Sequence, residues 1–360
     1  MEISIQEKRS LSKKEGFFFW IIALSIILAG TIVGAIAIGS TYIEPGEVYK
    51  VLLSKLSNGV LFSNAGTAMT QSIIWEIRFP RVLLGAICGA GLALCGVLMQ
   101  CVTKNPIAEP YILGISSGAS CGAVGVIVLG GISAIGINSI SLGAFIGSIV
   151  SGVLVFAIGT QMGKTTSTTR LVLTGMAIST IFSALTNLLI YSADNSNQAK
   201  NALFWTIGSL GGAKWDVLLF PFITLVVVII IAFIMSKSLD ILLLGDDSAI
   251  ILGINVKMVK SIILILATLL TSSLVAITGA IGFIGLVVPH ICRTIAGSDH
   301  KKLIVLSALI GPIFLILSDV VARGLFPPIE IPIGIITALI GGPFFLYLIS
   351  KKNYAFGGND

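Results

Sequence analysis

Residues 17–39 read FFFWIIALSIILAGTIVGAIAIG, 23 positions without a charge. A helix that crosses the hydrocarbon core of a bilayer needs about 20 apolar residues, so this stretch is long enough to span. Lys8, Arg9, Lys13 and Lys14 precede it, which gives it the look of a secretory leader. The apolar part of a leader runs only about 7–15 residues. The stretch therefore reads as an uncleaved first span with its basic flank in the cytoplasm.

Similar stretches recur to the end of the chain. Ten apolar segments lie near 17–39, 80–103, 111–130, 141–162, 170–190, 215–236, 258–279, 282–297, 303–321 and 332–350. None alternates polar and apolar residues as a barrel strand does, so the spans are expected to be helices. Composition agrees: 56% of the 360 residues are hydrophobic and 11% are charged, against about 25% charged in an ordinary soluble domain. Mean hydropathy is +1.05. A water-soluble globular protein and a disordered chain are both excluded.

The net charge of +6 does not point to nucleic acid. No basic helix interleaved with aromatics occurs, and the Lys and Arg residues sit in short connections. With the N-terminus inside, 15 of the 22 Lys and Arg fall on the cytoplasmic side. That bias predicts both termini inside and an even number of spans. The expected fold is thus an all-α polytopic protein of the cell membrane, multi-pass, with ten transmembrane helices. Residues 1–16 and 353–360 form cytoplasmic tails around a single membrane domain, 17–352. The five cysteines include no CxxC pair and read as small core residues, with no metal or cofactor site.

Small residues recur at helical spacing: Gly85 and Gly89; Gly114, Gly118 and Gly122; Gly143, Gly147 and Ser151. Such stripes predict helices that cross closely in a compact bundle. Three connections exceed a turn. Residues 40–79 and 191–214 are placed outside, the second with a short surface helix over Asn201–Leu210. Residues 237–257 are placed inside, where Gly245 interrupts an apolar run. Asp246, Asp247 and Ser248 then supply helix-start chemistry, predicting two short helices at the cytoplasmic face.

Several motifs have plain readings. Gly159–Thr165 is one residue short of a phosphate loop and follows a membrane helix rather than a strand. Gly114-Ile115-Ser116-Ser117-Gly118 matches the spacing of a hydrolase nucleophile elbow, but only His290 and His300 are available as partners. His290 and Arg293 sit at a helix end, where snorkelling is the simpler role. Asp319 and Arg323, four apart, are expected to pair on one helix face. With no other carboxylate clearly mid-span, a proton-driven carrier lacks its usual groups. The fifth segment carries Ser179, Ser183, Thr186 and Asn187 along one face, an uncharged polar stripe suited either to a water-filled path or to helix contacts.

The segment from Arg78 to Ala119 has a more specific pattern. Arg78-Phe79-Pro80-Arg81 precedes a Gly-rich span, then Met99-Gln100, Asn105-Pro106-Ile107-Ala108-Glu109-Pro110, Leu113-Gly114 and Ser117-Gly118-Ala119. Further on come Leu244-Gly245 with Ala249 and Leu252-Gly253, the run Gly279–His290 with Arg293, Ser318-Asp319 with Arg323, and Ile331-Pro332-Ile333-Gly334. In order and spacing this set resembles the FecCD family of ABC importer permeases, and the resemblance covers nearly all of 17–352.

The resemblance implies a dimer with a second permease copy or a paralogue, built from ten-span subunits with inverted-repeat halves. It implies separate cytoplasmic ATP-binding subunits and an extracytoplasmic substrate-binding protein. The cargo it implies is an iron chelate, with ferric siderophore favoured and haem or cobalamin as alternatives. It assigns Gly245, Asp246, Asp247, Ala249, Leu252 and Gly253 to ATPase coupling within 240–254. Arg78, Arg81 and Arg323 are assigned to binding-protein docking, and Ser179, Ser183, Thr186 and Asn187 to the path. The chain has no Walker motif, so ATP hydrolysis is expected in a partner.

Overall fold

The computed structural model describes residues 2–39, 42–62, 65–130, 139–160 and 168–351, and the described chain is helical. The helices are α1 (Glu2–Ala37), α2 (Pro45–Leu56), α3 (Ala68–Ser72), α4 (Phe79–Thr103), α5 (Ile115–Leu129), α6 (Ser139–Thr160), α7 (Thr168–Tyr191) and α8 (Ser196–Ile207). They continue with α9 (Trp215–Ile234), α10 (Ser236–Leu242), α11 (Asp246–Ile251), α12 (Val256–Thr278), α13 (Ile284–Ala296), α14 (His300–Gly324) and α15 (Ile333–Lys351). Most of the Gly159–Thr165 segment and the tail 353–360 lie outside the described residues.

Each of the ten apolar segments meets a helix, but not all ten helices are long. Among the described residues, eight are long and apolar enough to cross a membrane. The other two, α5 with 15 residues and α13 with 13, are shorter than the roughly 20 residues that a span requires. Their starts explain the shortfall. A 3-10 turn over Pro110–Leu113 and a left-handed Gly114 precede α5, and a left-handed Phe283 precedes α13. The chain thus travels part of the depth in non-helical form. The two irregular stretches secure each other: the Tyr111 hydroxyl donates to the Ile281 carbonyl at 2.9 Å and accepts from the Ile281 N–H at 3.0 Å. Backbone that leaves a helix inside a bundle needs such partners.

The helical run that contains the second expected span, 80–103, starts well before it. Pro80 reads as a first-turn residue, yet an uninterrupted helical run extends over Ala68–Thr103. Proline normally breaks a helix because its ring meets the carbonyl four residues back and its N–H is missing. Here a π-helical run over Ile73–Arg78 precedes it, and this widened turn lets the helix continue. Likewise α8 begins at Ser196 rather than Asn201. Asn195 caps it, its side chain accepting from the Gln198 N–H at 2.9 Å.

Helix α4 is the centre of the bundle, buried along almost its whole length. It packs on α9, α12, α13 and α14. At its crossing with α14 a Cβ on Gly89 would collide with the Gly311 carbonyl. The two sequence stripes on α5 and α6 face each other: Gly118 sits on Gly147 and Gly122 on Gly143, with no room for a Cβ on either helix. Ser151 donates to the Gly114 carbonyl at 2.7 Å and closes that seam. These close approaches maximise dispersion contact where no hydrophobic driving force separates helix from lipid.

Candidate functional site

Three regions collect the residues that the sequence singled out. For orientation, the end of the bundle holding Arg81 is the outer end and the end holding Asp246 the inner end, following the basic bias.

At the inner end the chain leaves α9 and forms α10 and α11. Gly245, between them, has φ +115° and ψ 155°, a conformation essentially restricted to glycine. Gly253 turns the chain at φ +83°, and Asn255 then caps α12 by accepting from the Met258 N–H at 3.0 Å. This hairpin of short helices presents apolar side chains outward. Leu244, Ile250, Ile251 and Leu252 are all exposed, Ile251 at 85%. Contiguous exposed isoleucine and leucine mark a contact surface rather than a finished one. Ala249 does not belong to it. Its side chain is fully buried, so it fixes α11 to the body. Asp247 and Gly253 are exposed.

Asp246 points back into the protein. Its carboxylate pairs with Lys104 at 2.8 Å and with Lys260 at 2.6 Å. Burial pushes the Asp246 carboxyl up, but the two ammonium groups beside it outweigh that and hold it below the ordinary carboxylate value. Asp240, on α10, makes a second tie: its Oδ1 lies 2.7 Å from His300 Nδ1 and accepts from the His300 N–H at 3.0 Å.

At the outer end the three arginines do converge, but inward. Arg81 forks onto Asp319, with Nε to Oδ2 at 3.1 Å and Nη2 to Oδ1 at 3.0 Å, and its Nη1 reaches Glu330 at 2.8 Å. Arg323 pairs with the same Asp319 at 2.9 Å, the expected i,i+4 contact. Arg78 donates to the Ile36 and Ala37 carbonyls at 2.7 and 3.0 Å, and Arg323 to the Ile38 and Ala35 carbonyls at 2.8 and 3.0 Å. Two cations therefore cap the C-terminal end of α1, where helix carbonyls lack partners. All three arginines are buried. The cap is not legible in the sequence, because α1 ends in Ala-Ile-Ala with no local partner for its carbonyls.

The polar stripe of α7 divides. Ser183 and Asn187 are exposed, Ser179 is half-buried beside Gly114, and Thr186 is buried and donates to the Phe182 carbonyl at 2.7 Å. Between these regions motif residues meet that lie far apart in sequence. Arg293 Nη1 donates to Gln100 Oε1, and Gln100 Nε2 donates to the Gly285 carbonyl at 3.2 Å. Glu109 sits by the start of α13 with Oε1 shut off from solvent and without a hydrogen-bond partner among the described residues. Burial raises its carboxyl to about 7, against the lowering effect of hydrogen bonds from the Phe283 and Leu286 backbones. The hydrolase reading finds no support here: His300 is engaged by Asp240, and the His290 ring packs against Phe344 with centroids 5.8 Å apart.

The FecCD transport family matches residues 24–351. The cobalamin import system permease protein BtuC of Halobacterium salinarum is 40% identical over 284 residues, 78% of this chain and 74% of the relative. The hemin transport system permease protein HmuU of Yersinia pestis is 40% identical over 293 residues, 80% of this chain and 86% of the relative. The Fe(3+)-citrate import system permease protein YfmE of Bacillus subtilis is 37% identical over 344 residues, 95% and 98% of the two chains. Among solved structures, an ABC transporter assigned to the metal-chelate type, in an inward-facing conformation, superposes with a TM-score of 0.79 at 30% identity. The match covers 92% of this chain and 99% of that one. A match that extends from the first span to the last leaves one conclusion: the chain belongs to the FecCD transport family, as the multi-pass membrane permease subunit of an ABC transporter.

Proposed function

We propose that the chain forms the membrane path of an importer for a metal chelate, with a ferric chelate such as a ferric siderophore as the leading cargo. Separate cytoplasmic ATPase subunits drive it and an extracytoplasmic binding protein feeds it. The observation that carries the reading is the inner face built by Leu244, Ile250, Ile251 and Leu252, exposed apolar side chains on a rigidly anchored helical hairpin. An ATPase subunit with an apolar groove would bury them.

In this reading α5 and α13 complete ten spans, and both termini lie in the cytoplasm. The halves α4–α7 and α12–α15 are inverted repeats. Each half opens with a long helix followed by a short one with a left-handed start, which supports the pairing. The path runs beside α7, with Ser183 and Asn187 lining it and Ser179 at its margin, while Thr186 serves helix packing. A second copy or a paralogue faces this surface. Exposed Met176, Ile181, Leu188 on α7 and Leu339 and Leu346 on α15 leave apolar area for it and for lipid.

The binding protein docks at the outer end. Because Arg81 is committed to Asp319, an acidic side chain of the partner would enter by exchanging with Glu330, whose side chain is 51% exposed. Arg78 and Arg323 hold the surface on which it lands.

The test is uptake into proteoliposomes holding permease, ATPase and binding protein, with radiolabelled ferric hydroxamate, ferric citrate, hemin and cobalamin compared. ATP-dependent accumulation of a ferric chelate supports the reading. Hemin and cobalamin belong in the panel because relatives named for those cargoes are each 40% identical. Accumulation of one of them alone would replace iron chelate as the cargo, and uptake without ATP would overturn the importer reading.

A further inference from the structure

The ion cluster Lys104–Asp246–Lys260 joins three separate parts of the chain. Asp246 opens α11 in the coupling hairpin, Lys104 ends α4, and Lys260 lies in the first turns of α12. Both lysines reach the same carboxylate, at 2.8 and 2.6 Å. The Lys260 side chain is only 4% exposed, so its charge requires a carboxylate close by. Lys104 holds a left-handed backbone at φ +49°, an uncommon conformation for a residue with a Cβ, which turns the chain at the end of α4.

The Asp246 side chain is 40% exposed, yet both its carboxylate oxygens are taken up by the two lysines. The apolar neighbours Ile250 and Ile251 face outward from the same short helix. The hairpin therefore has a contact side and an attachment side. On the attachment side Ala249 supplies packing, while Asp246 supplies a direct charged link to two membrane helices. Helix α4 carries Lys104 at one end and Arg81, forked onto Asp319, near the other. With 25 residues it is about 37 Å long, and it is wedged against α13 and α14 by Gly96 and Gly89, whose Cβ positions are filled by the Gly285 and Gly311 backbones. A displacement of α11 passed to Lys104 would thus move a stiff rod whose far end belongs to the outer cluster.

We propose that Asp246 is a positioning residue that fastens the coupling hairpin to α4 and α12 through Lys104 and Lys260, so that movement of the hairpin is handed to the membrane helices. This rests on the proposed role of the hairpin as the ATPase contact. It assigns to Asp246 a task other than touching the ATPase.

The experiment uses the complete transporter in proteoliposomes and reads three quantities: ATPase subunit retained on purification, ATP hydrolysis, and cargo uptake. Asp246→Asn should keep the ATPase subunit and its hydrolysis but lower uptake by about tenfold or more, within the usual range of coupling effects. Asp246→Glu should recover much of the uptake, since length rather than charge has changed. Lys104→Gln leaves the buried Lys260 paired and guards against a folding defect in Asp246→Asn. It should lower uptake several-fold with hydrolysis retained. Exchanging the charges, Lys104→Asp with Asp246→Lys, leaves Lys260 beside a lysine and should not rescue, whereas a simple two-residue bridge would be restored. Uptake at the wild-type level in Lys104→Gln would overturn the proposal, as would loss of the ATPase subunit from folded Asp246→Asn. A wild-type complex that binds no ATPase subunit would instead defeat the functional reading on which the proposal stands.

Discussion

Arg81 and Asp319 stand 238 positions apart in sequence and meet as a two-pronged ion pair, with both side chains nearly closed to solvent. The pair ties the central helix α4 to α14 at the outer end. Stranding one charge of an isolated buried pair costs about 3–5 kcal/mol, and only part of that cost applies here because Asp319 keeps Arg323 and Arg81 keeps Glu330. Arg81→Ala and Asp319→Ala should each lower the melting temperature in detergent sharply. Replacing both by leucine should recover only part of the loss, because the buried Arg323 still loses its partner Asp319. A double variant as unstable as the sum of the two singles would show that the pair is not a unit.

The seam between α5 and α6 is set by backbone contact. A side chain at Gly118 has nowhere to go because the Gly147 carbonyl occupies the Cβ position. Gly118→Leu should abolish monodisperse protein on size exclusion, and Gly118→Ala should destabilise by about 1–3 kcal/mol. Gly16, Gly30 and Gly34 have open space at their Cβ positions, so Gly34→Ala should be near neutral and serves as the control.

Glu109 gives stability a pH dependence of predictable sign. Its carboxyl is raised from 4.5 to about 7, so the folded protein favours the neutral form more than the unfolded chain does. That contribution is complete below about pH 4.5 and is lost as pH rises through about 7. Melting temperatures measured from pH 5 to pH 8 should fall for the wild type, and Glu109→Gln should flatten the slope and be the more stable protein at pH 8. Parallel slopes for the two proteins would reject this account of Glu109.

Ser183 and Asn187, the exposed members of the α7 polar stripe, differ from their buried neighbour Thr186. Cysteines at Ser183 and Asn187 should react with a water-soluble thiol reagent at rates that change between nucleotide-free and ATP-bound complexes. A cysteine at Thr186 should stay protected in both. Cys88, Cys95, Cys101 and Cys292 are buried, and Cys121, which is partly exposed, is changed to serine in the background used for labelling. Equal protection at all three positions would make the stripe a helix contact.

Much of this architecture is local information. The apolar run 17–39, the charge-broken segment 237–257 and the facing stripes Gly114/Gly118/Gly122 and Gly143/Gly147/Ser151 follow from periodicity and composition alone. The short α5 and α13 do not. Their apolar residues continue into Tyr111–Leu113 and Gly279–Phe283, and hydropathy does not distinguish a helix from an irregular stretch whose hydrogen bonds are met elsewhere, as Tyr111 meets Ile281. The helical run Ala68–Arg78 ahead of α4 is not legible either, because Pro80 is a helix-start signal and the π-helical turn before it leaves no composition trace. Charges were the least legible. Arg78 and Asp246 read as surface residues, since their partners, the α1 carbonyls and Lys104, come from elements distant in sequence.

The inner apolar face is the proposed place where the ATPase binds. Ile250→Glu together with Ile251→Glu changes two outward side chains and disturbs no buried contact of α11. The measurement is the amount of ATPase subunit that co-purifies with the permease from membranes expressing the whole transporter. The account predicts a variant that inserts and runs monodisperse as the wild type does, yet retains at least about tenfold less ATPase subunit, as expected when central apolar anchors are lost. Wild-type retention of the ATPase subunit by that folded variant would contradict it.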